Sequence, residues 1–268
     1  VHASTTTDAG GAFSLALPTA QSGQPVCLSA AAGSARLATG ANAAGTVLPD
    51  GSATAVGGTT FTYTRSTGQV AFTAPASGSV VLNFGAVPVS TLSPATSARD
   101  AGLGLKGVHT HTFTAGTGGS LQVQLGAGTT TPPLAGWTET AYLTDCTNPG
   151  VVAPGATRLY PSGAAVTVTQ GQVLCIAVEH LVPMTATAAN SRSVPLTATL
   201  VFTNASPALQ ASYTTTDTTT ATASALSLTK EVRNVTQGGS FGVTNQAKSG
   251  DVLEYRITYS TTDRKSVV

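Results

Sequence analysis

Charge is what this chain has least of. Only 9% of its 268 residues are Asp, Glu, Lys or Arg, against roughly 25% in an average soluble domain. The 12 basic and 11 acidic residues nearly cancel and are scattered along the sequence, so no basic face of the kind that binds nucleic acid can form. Aromatic residues make up 5%, with a single Trp and a single Met. The shortage of Glu, Lys and Arg excludes a coiled coil or helical bundle, and no apolar run reaches the roughly 18 residues that a membrane-spanning helix needs. What the chain has instead is Thr and Ser, about a quarter of all residues, with 29 Gly and 14 Pro. At 41% hydrophobic content and almost no net charge, such a composition favours strands and turns that fold over disorder.

Short β-type runs punctuated by turn residues occur along the whole chain. Residues 5–18 read as an Asp-Ala-Gly-Gly turn leading into a half-buried strand through Phe13, Leu15 and Leu17. Further strands are expected at 25–30, 59–64, 69–73 and 79–84. The Ala/Gly/Ser-rich stretch 30–58 reads as a long, weakly ordered loop. Beyond Pro88 the alternation sharpens. His109, His111 and Phe113 share one strand face, and Leu121, Val123 and Leu125 share one face of the next, with Gly116–Gly119 as the turn between. Strands at 136–144, 165–169, 172–181 and 194–204 follow, so the natural assembly is an all-β, antiparallel sandwich. The Thr-rich stretch 213–223 fits either an extended linker or an exposed terminal strand. In the run Val252–Tyr259, Leu253, Tyr255, Ile257 and Tyr259 alternate with polar residues, a strand signal. It opens with 226–232 a unit of two strands, too few for a stable domain, and together with the start at Val1 this reads as a piece of a longer protein. Residues 263–268 break the strand pattern and resemble the translation of a sequencing adapter, with a genuine polar tail as the other reading, and are set apart from the fold either way.

The segment ALSLTKEVRNV…AKSGDVLEYRITYS resembles the opening of the DUF11 repeat, an Ig-like β-sandwich found in tandem in bacterial cell-surface and secreted proteins. The matching residues are Leu226, Leu228, Lys230, Val232, Gly250, Asp251, Tyr255, Ile257 and Tyr259, with Ser249 in place of the usual Pro. Residues 89–223 are similar to the sandwich unit that precedes such repeats. The opening TTTDAGGAFSLALP is similar to the tail of carboxypeptidase-regulatory-like or SdrD-B-like modules. The expected organisation is a partial β-sandwich module at 1–88, an Ig-like sandwich at 89–223, the first strands of a DUF11 repeat at 224–262 and the non-native tail at 263–268. The resemblance implies a surface or secreted location and a structural role, a stalk or adhesin-like array without catalytic activity. The alternative is an accessory spacer or a carbohydrate- or ligand-binding module attached to a secreted enzyme. Expected partners are neighbouring repeats and surface or carbohydrate ligands; no nucleic acid and no membrane span are expected.

In an exported sandwich Cys146 and Cys175 are candidates for a disulfide, with two buried thiols as the other reading. Cys27 is then left over, either buried beside Val26 and Leu28 or paired outside this sequence. The His109-x-His111 pair has a spacing that can bind metal, with His180, Asp100 and Glu179 as conceivable further ligands at no diagnostic spacing, so packed strand histidines are the expectation. The loop with Asp145 and Asn148 has too few carboxylates for a hard cation; no metal and no cofactor are expected. Alternation puts Lys230 on the side of Leu226, Leu228 and Val232, which makes it a candidate for an intramolecular isopeptide bond, with a snorkelling or paired lysine as the plainer reading. Trp137 and Tyr142 offer a sugar-stacking face or, more simply, core. No nucleophile elbow, zinc-protease motif or phosphate-cradling loop is present.

Overall fold

The computed structural model describes residues 3–30, 33–205, 208–222 and 226–261. The first seven strands are β1 (Pro25–Ser29), β2 (Arg36–Ala43), β3 (Thr46–Leu48), β4 (Ala53–Val56), β5 (Thr59–Thr64), β6 (Gln69–Thr73) and β7 (Leu82–Pro88). They form a four-stranded sheet, β1-β6-β5-β4, and a three-stranded one, β3-β2-β7. A core of Ala41, Ala43, Leu48, Phe61, Tyr63, Val70 and Leu82, drawn from both sheets, joins them.

Two expectations are corrected here. The stretch 30–58 is not a weakly ordered loop, because it carries β2, β3 and β4. Ala and Gly have low strand propensity, but pairing with β7 and β3 and the burial of Ala41 and Ala43 override it. Conversely, Phe13–Leu17 forms no strand. The turn before it is present, Asp8 Oδ1 accepting from the backbone N–H groups of Gly10 and Ala12 at 2.8 and 2.9 Å.

The next eleven strands build a sandwich. They are β8 (Thr91–Ser93), β9 (Thr96–Gly102), β10 (Lys106–Thr114), β11 (Gly119–Leu125), β12 (Thr129–Thr131), β13 (Thr138–Thr144), β14 (Arg158–Tyr160), β15 (Val166–Val168), β16 (Val173–Leu181), β17 (Ser191–Phe202) and β18 (Gln210–Thr222). One sheet runs β14-β13-β16-β10-β8 and the other β15-β11-β17-β18-β9, with β12 added to β17. Counted along the chain, the order β8-β10-β16-β13 is the A-B-E-D sheet of an immunoglobulin fold and β11-β17-β18 its C-F-G sheet. The all-β, Ig-like sandwich is therefore present. It departs from purely antiparallel pairing at one place: the chain leaves the first sheet after β8 and enters the second as β9, parallel to β18. The Gly116–Gly119 turn packs closely, since a Cβ on Gly116 would lie 2.1 Å from the carbonyl oxygen of Pro88.

Alternation puts Val194, Leu196, Ala198, Leu200 and Phe202 of β17 opposite Phe113, Leu174, Ile176 and Val178 of the facing sheet. The Thr-rich stretch is neither linker nor exposed strand. As β18 it pairs with β17 on one side and β9 on the other, and its inward residues Thr215, Asp217, Thr219 and Ala221 are buried.

Strands β19 (Leu226–Asn234) and β20 (Leu253–Thr261) form an antiparallel two-stranded sheet. The Gly250–Asp251 turn has a physical purpose here. The Asp251 carboxylate accepts from the Lys248 backbone N–H, from Asn234 Nδ2 and from Gln237 Nε2, at 2.8, 2.7 and 2.7 Å. These bonds hold its carboxyl below the usual aspartate range and tie together the long connection between the two strands. Residues 263–268 lie outside the described residues. Among the described residues no helix is long and apolar enough to cross a membrane.

Candidate functional site: a buried histidine, aspartate and threonine layer

Strands β10 and β18 belong to opposite sheets and face one another across the sandwich. Their inward side chains meet in rungs. Phe113 lies edge-on to Tyr213 at 5.8 Å between ring centroids. The next rung pairs His111 with Asp217, and the one after pairs His109 with Thr219. His180, inward-facing on β16, joins the layer with its ring centroid 4.7 Å from that of His109. Above and below are apolar clusters, the main core on one side and Ala101, Trp137, Val182, Ala186 and Ala221 on the other. His109, His180, Asp217 and Thr219 are all 0% exposed and His111 is 1% exposed.

Few arrangements of hydrogens fit this geometry. A carboxylate only accepts, so His111 Nε2–H donates to Asp217, 2.8 and 3.0 Å from its two oxygens. His111 Nδ1 has no partner. Thr219 Oγ1 touches His109 Nε2 at 2.8 Å and His180 Nδ1 at 3.0 Å. With one proton on the hydroxyl, one ring receives it and the other must donate. His180 Nε2 is buried without a partner. A bare nitrogen there costs less than a stranded N–H, so His180 donates from Nδ1 and the Thr219 hydroxyl donates to His109 Nε2. His109 Nδ1–H then donates to Ser97 Oγ at 2.9 Å, with Asp217 Oδ1 at 3.7 Å. Burial pushes both His109 and His180 down to about 4; Asp217 opposes this at His109, while Arg192 and His111 add to it at His180.

The Thr219–His109 contact has the form of a nucleophile and its base, but these atoms have no solvent access through which a substrate could arrive. Each inward nitrogen is committed to a protein oxygen or buried beside apolar groups. Among the described residues no group of three or more His, Cys, Asp and Glu side chains is arranged to hold a metal ion. At one flank Arg192 of β17 bridges the sheets, donating to Glu139 Oε1 of β13 at 2.8 Å and to the Gly128 carbonyl at 2.9 Å.

Cys146 and Cys175 form a disulfide with Cα atoms 5.2 Å apart. It lies within one sheet, since Thr144 is the register partner of Cys175, and it pins the start of loop 145–157. A side chain on Gly150 would meet Thr110, so this loop lies over the outer face of the sheet. That cover explains why Cys175 and Ala177 are buried although they point away from the core. Asp145 turns inward on its own loop, accepting from the Thr147 backbone N–H. Glu179 and Asp100 do not join the histidines: Glu179 faces outward and pairs with Lys106 at 2.6 Å, and Asp100 lies on edge strand β9. Cys27 is exposed on edge strand β1, which corrects the buried alternative. Lys230 is exposed rather than inward, its ammonium 4.8 Å from the centre of the Tyr255 ring, because the strand face it shares with Tyr255 and Ile257 is open. Trp137 is buried at 8% exposure and Tyr142 is half-buried, so they make no open stacking face. Asp217 and Thr219 were not legible as members of the site. The one signal was the in-phase placement of a single Asp within a Thr/Ala strand.

No protein-family model matches the chain, and no curated protein matches it. Among solved structures it is similar to a family 123 glycoside hydrolase from Clostridium perfringens, described for glycolipid glycan hydrolysis, at 10% identity and a TM-score of 0.34. The match covers 50% of this chain and 27% of the other, so the chain spans about a quarter of that enzyme's length. A likeness this distant says nothing about activity here.

Proposed function

We propose that the chain is a structural region of a bacterial cell-surface or secreted protein, built from β-sandwich modules of the DUF11-repeat type and serving as stalk or adhesin-like array. The observation that carries this reading is the Cys146–Cys175 disulfide in an Ig-type sandwich, since such crosslinks persist in oxidising, exported environments and are rare in the cytosol. The site's chemistry supports a structural role as well. Its polar groups are spent on one another across the two sheets, and Trp137 is used as core. Intact host cells treated with a protease that cannot enter them test the proposal. The chain is expected to be cleaved from the cell surface or found in the medium. Full protection in intact cells, with cleavage only after lysis, would overturn it.

A further inference from the structure

We propose that the buried histidine layer is an acid-sensitive latch that joins the two sheets only while His109 and His180 are neutral. The hydrogen-bond accounting carries this. A proton on His180 Nε2 creates a buried N–H with no acceptor in reach. A proton on His109 Nε2 faces the Thr219 hydroxyl hydrogen, which must swing away. The other contact of that oxygen, His180 Nδ1–H, is already a donor, so the hydroxyl loses its acceptor. His109 and His180 each take up a proton only by stranding a buried donor, the Thr219 hydroxyl in the one case and the Nε2–H in the other.

The surrounding charges do not rescue it. From β18 the layer sees Asp217, whose carboxylate is engaged by His111; from β9 it sees Arg99 beside Ser97, and from β17 Arg192, both cations that oppose a further positive charge. Glu139 of β13 is held by Arg192, and Glu179 of β16 lies on the outer face with Lys106. Because His109 and His180 sit at about 4 in the folded chain, below the 6.5 of a free imidazole, the unfolded state binds more protons. The latch therefore holds fully above pH 6.5 and weakens as pH falls towards 4.

The test is denaturant unfolding of the whole chain at pH 7, 6 and 5, read together with hydrogen exchange of backbone amides. The unfolding equilibrium constant of the sandwich should rise by on the order of a few hundredfold from pH 7 to pH 5, about twentyfold from each of the two histidines. Amides of β10 and β18 should lose protection over this range while those of β5 and β6 keep theirs. His180→Gln should remove about twentyfold of the pH effect. If that variant does not fold, imidazole signals of the native chain serve instead, and those of His109 and His180 should stay in the neutral form down to pH 5. An unfolding constant that is flat between pH 7 and pH 5, or His109 and His180 imidazoles that titrate near 6.5 in the folded chain, would overturn the proposal.

Discussion

Replacing Asp217 with alanine is expected to cost the sandwich about 3–5 kcal/mol, the range for removing one partner of a buried ion or hydrogen-bonded charge pair. Asp217 is 0% exposed and takes the His111 N–H on both of its oxygens. The truncation strands that donor between the two sheets and opens a void beside His109. Against a total stability of about 5–15 kcal/mol, the loss brings the module near its folding threshold. Asp217→Asn should cost less, because one amide oxygen still accepts from His111. Denaturant melts of both variants check the ordering. A loss below about 1 kcal/mol for Asp217→Ala would mean that the layer contributes nothing to holding the sheets together.

Breaking the Cys146–Cys175 bond is the second large effect. The bridge closes a segment with a sequence separation of 29, which on the chain-entropy model contributes about 3.5 kcal/mol. Cys146→Ser changes an exposed position and leaves the core untouched. Its expected cost is therefore about 2–4 kcal/mol, with most of the structural consequence in loop 145–157. Few hydrogen bonds besides the crosslink hold that loop, among them Thr144 Oγ1 to the Pro149 carbonyl and the Leu143 N–H to the Thr157 carbonyl. Limited proteolysis should cut within it in the variant or in reduced protein, and leave it intact in the oxidised form. Equal resistance with and without the bond would show that packing alone seats the loop.

The sequence made the all-β class legible because period-two alternation survives where one face is apolar and the other polar, as in Leu121–Leu125 and 194–202. It fell short where that contrast is missing. In β2 the inward residues are Thr39, Ala41 and Ala43, too small or too polar to stand out from a loop. In β18 the inward face carries Thr215, Asp217 and Thr219, polar residues that satisfy one another across the core and so imitate a solvent-facing strand. The His109-x-His111 spacing marked half of the site. Its partners lie more than 100 residues away, at separations of 106 and 110, and no local pattern announces such a pairing. The disulfide was readable from the residue types, but its place within one sheet, bridging neighbouring strands, followed only from the register of β13 with β16.

The thiol state of Cys146 and Cys175 in the protein as its host makes it tests the proposed role most directly. Cells would be quenched in acid, free thiols alkylated before lysis is complete, and the peptides mapped without reduction. The account predicts a crosslinked peptide pair joining Cys146 to Cys175 in nearly every molecule, with Cys27 alkylated or linked elsewhere. Two alkylated thiols at 146 and 175 would contradict it, because a chain kept reduced has not reached the oxidising surroundings in which a disulfide-clamped surface module works.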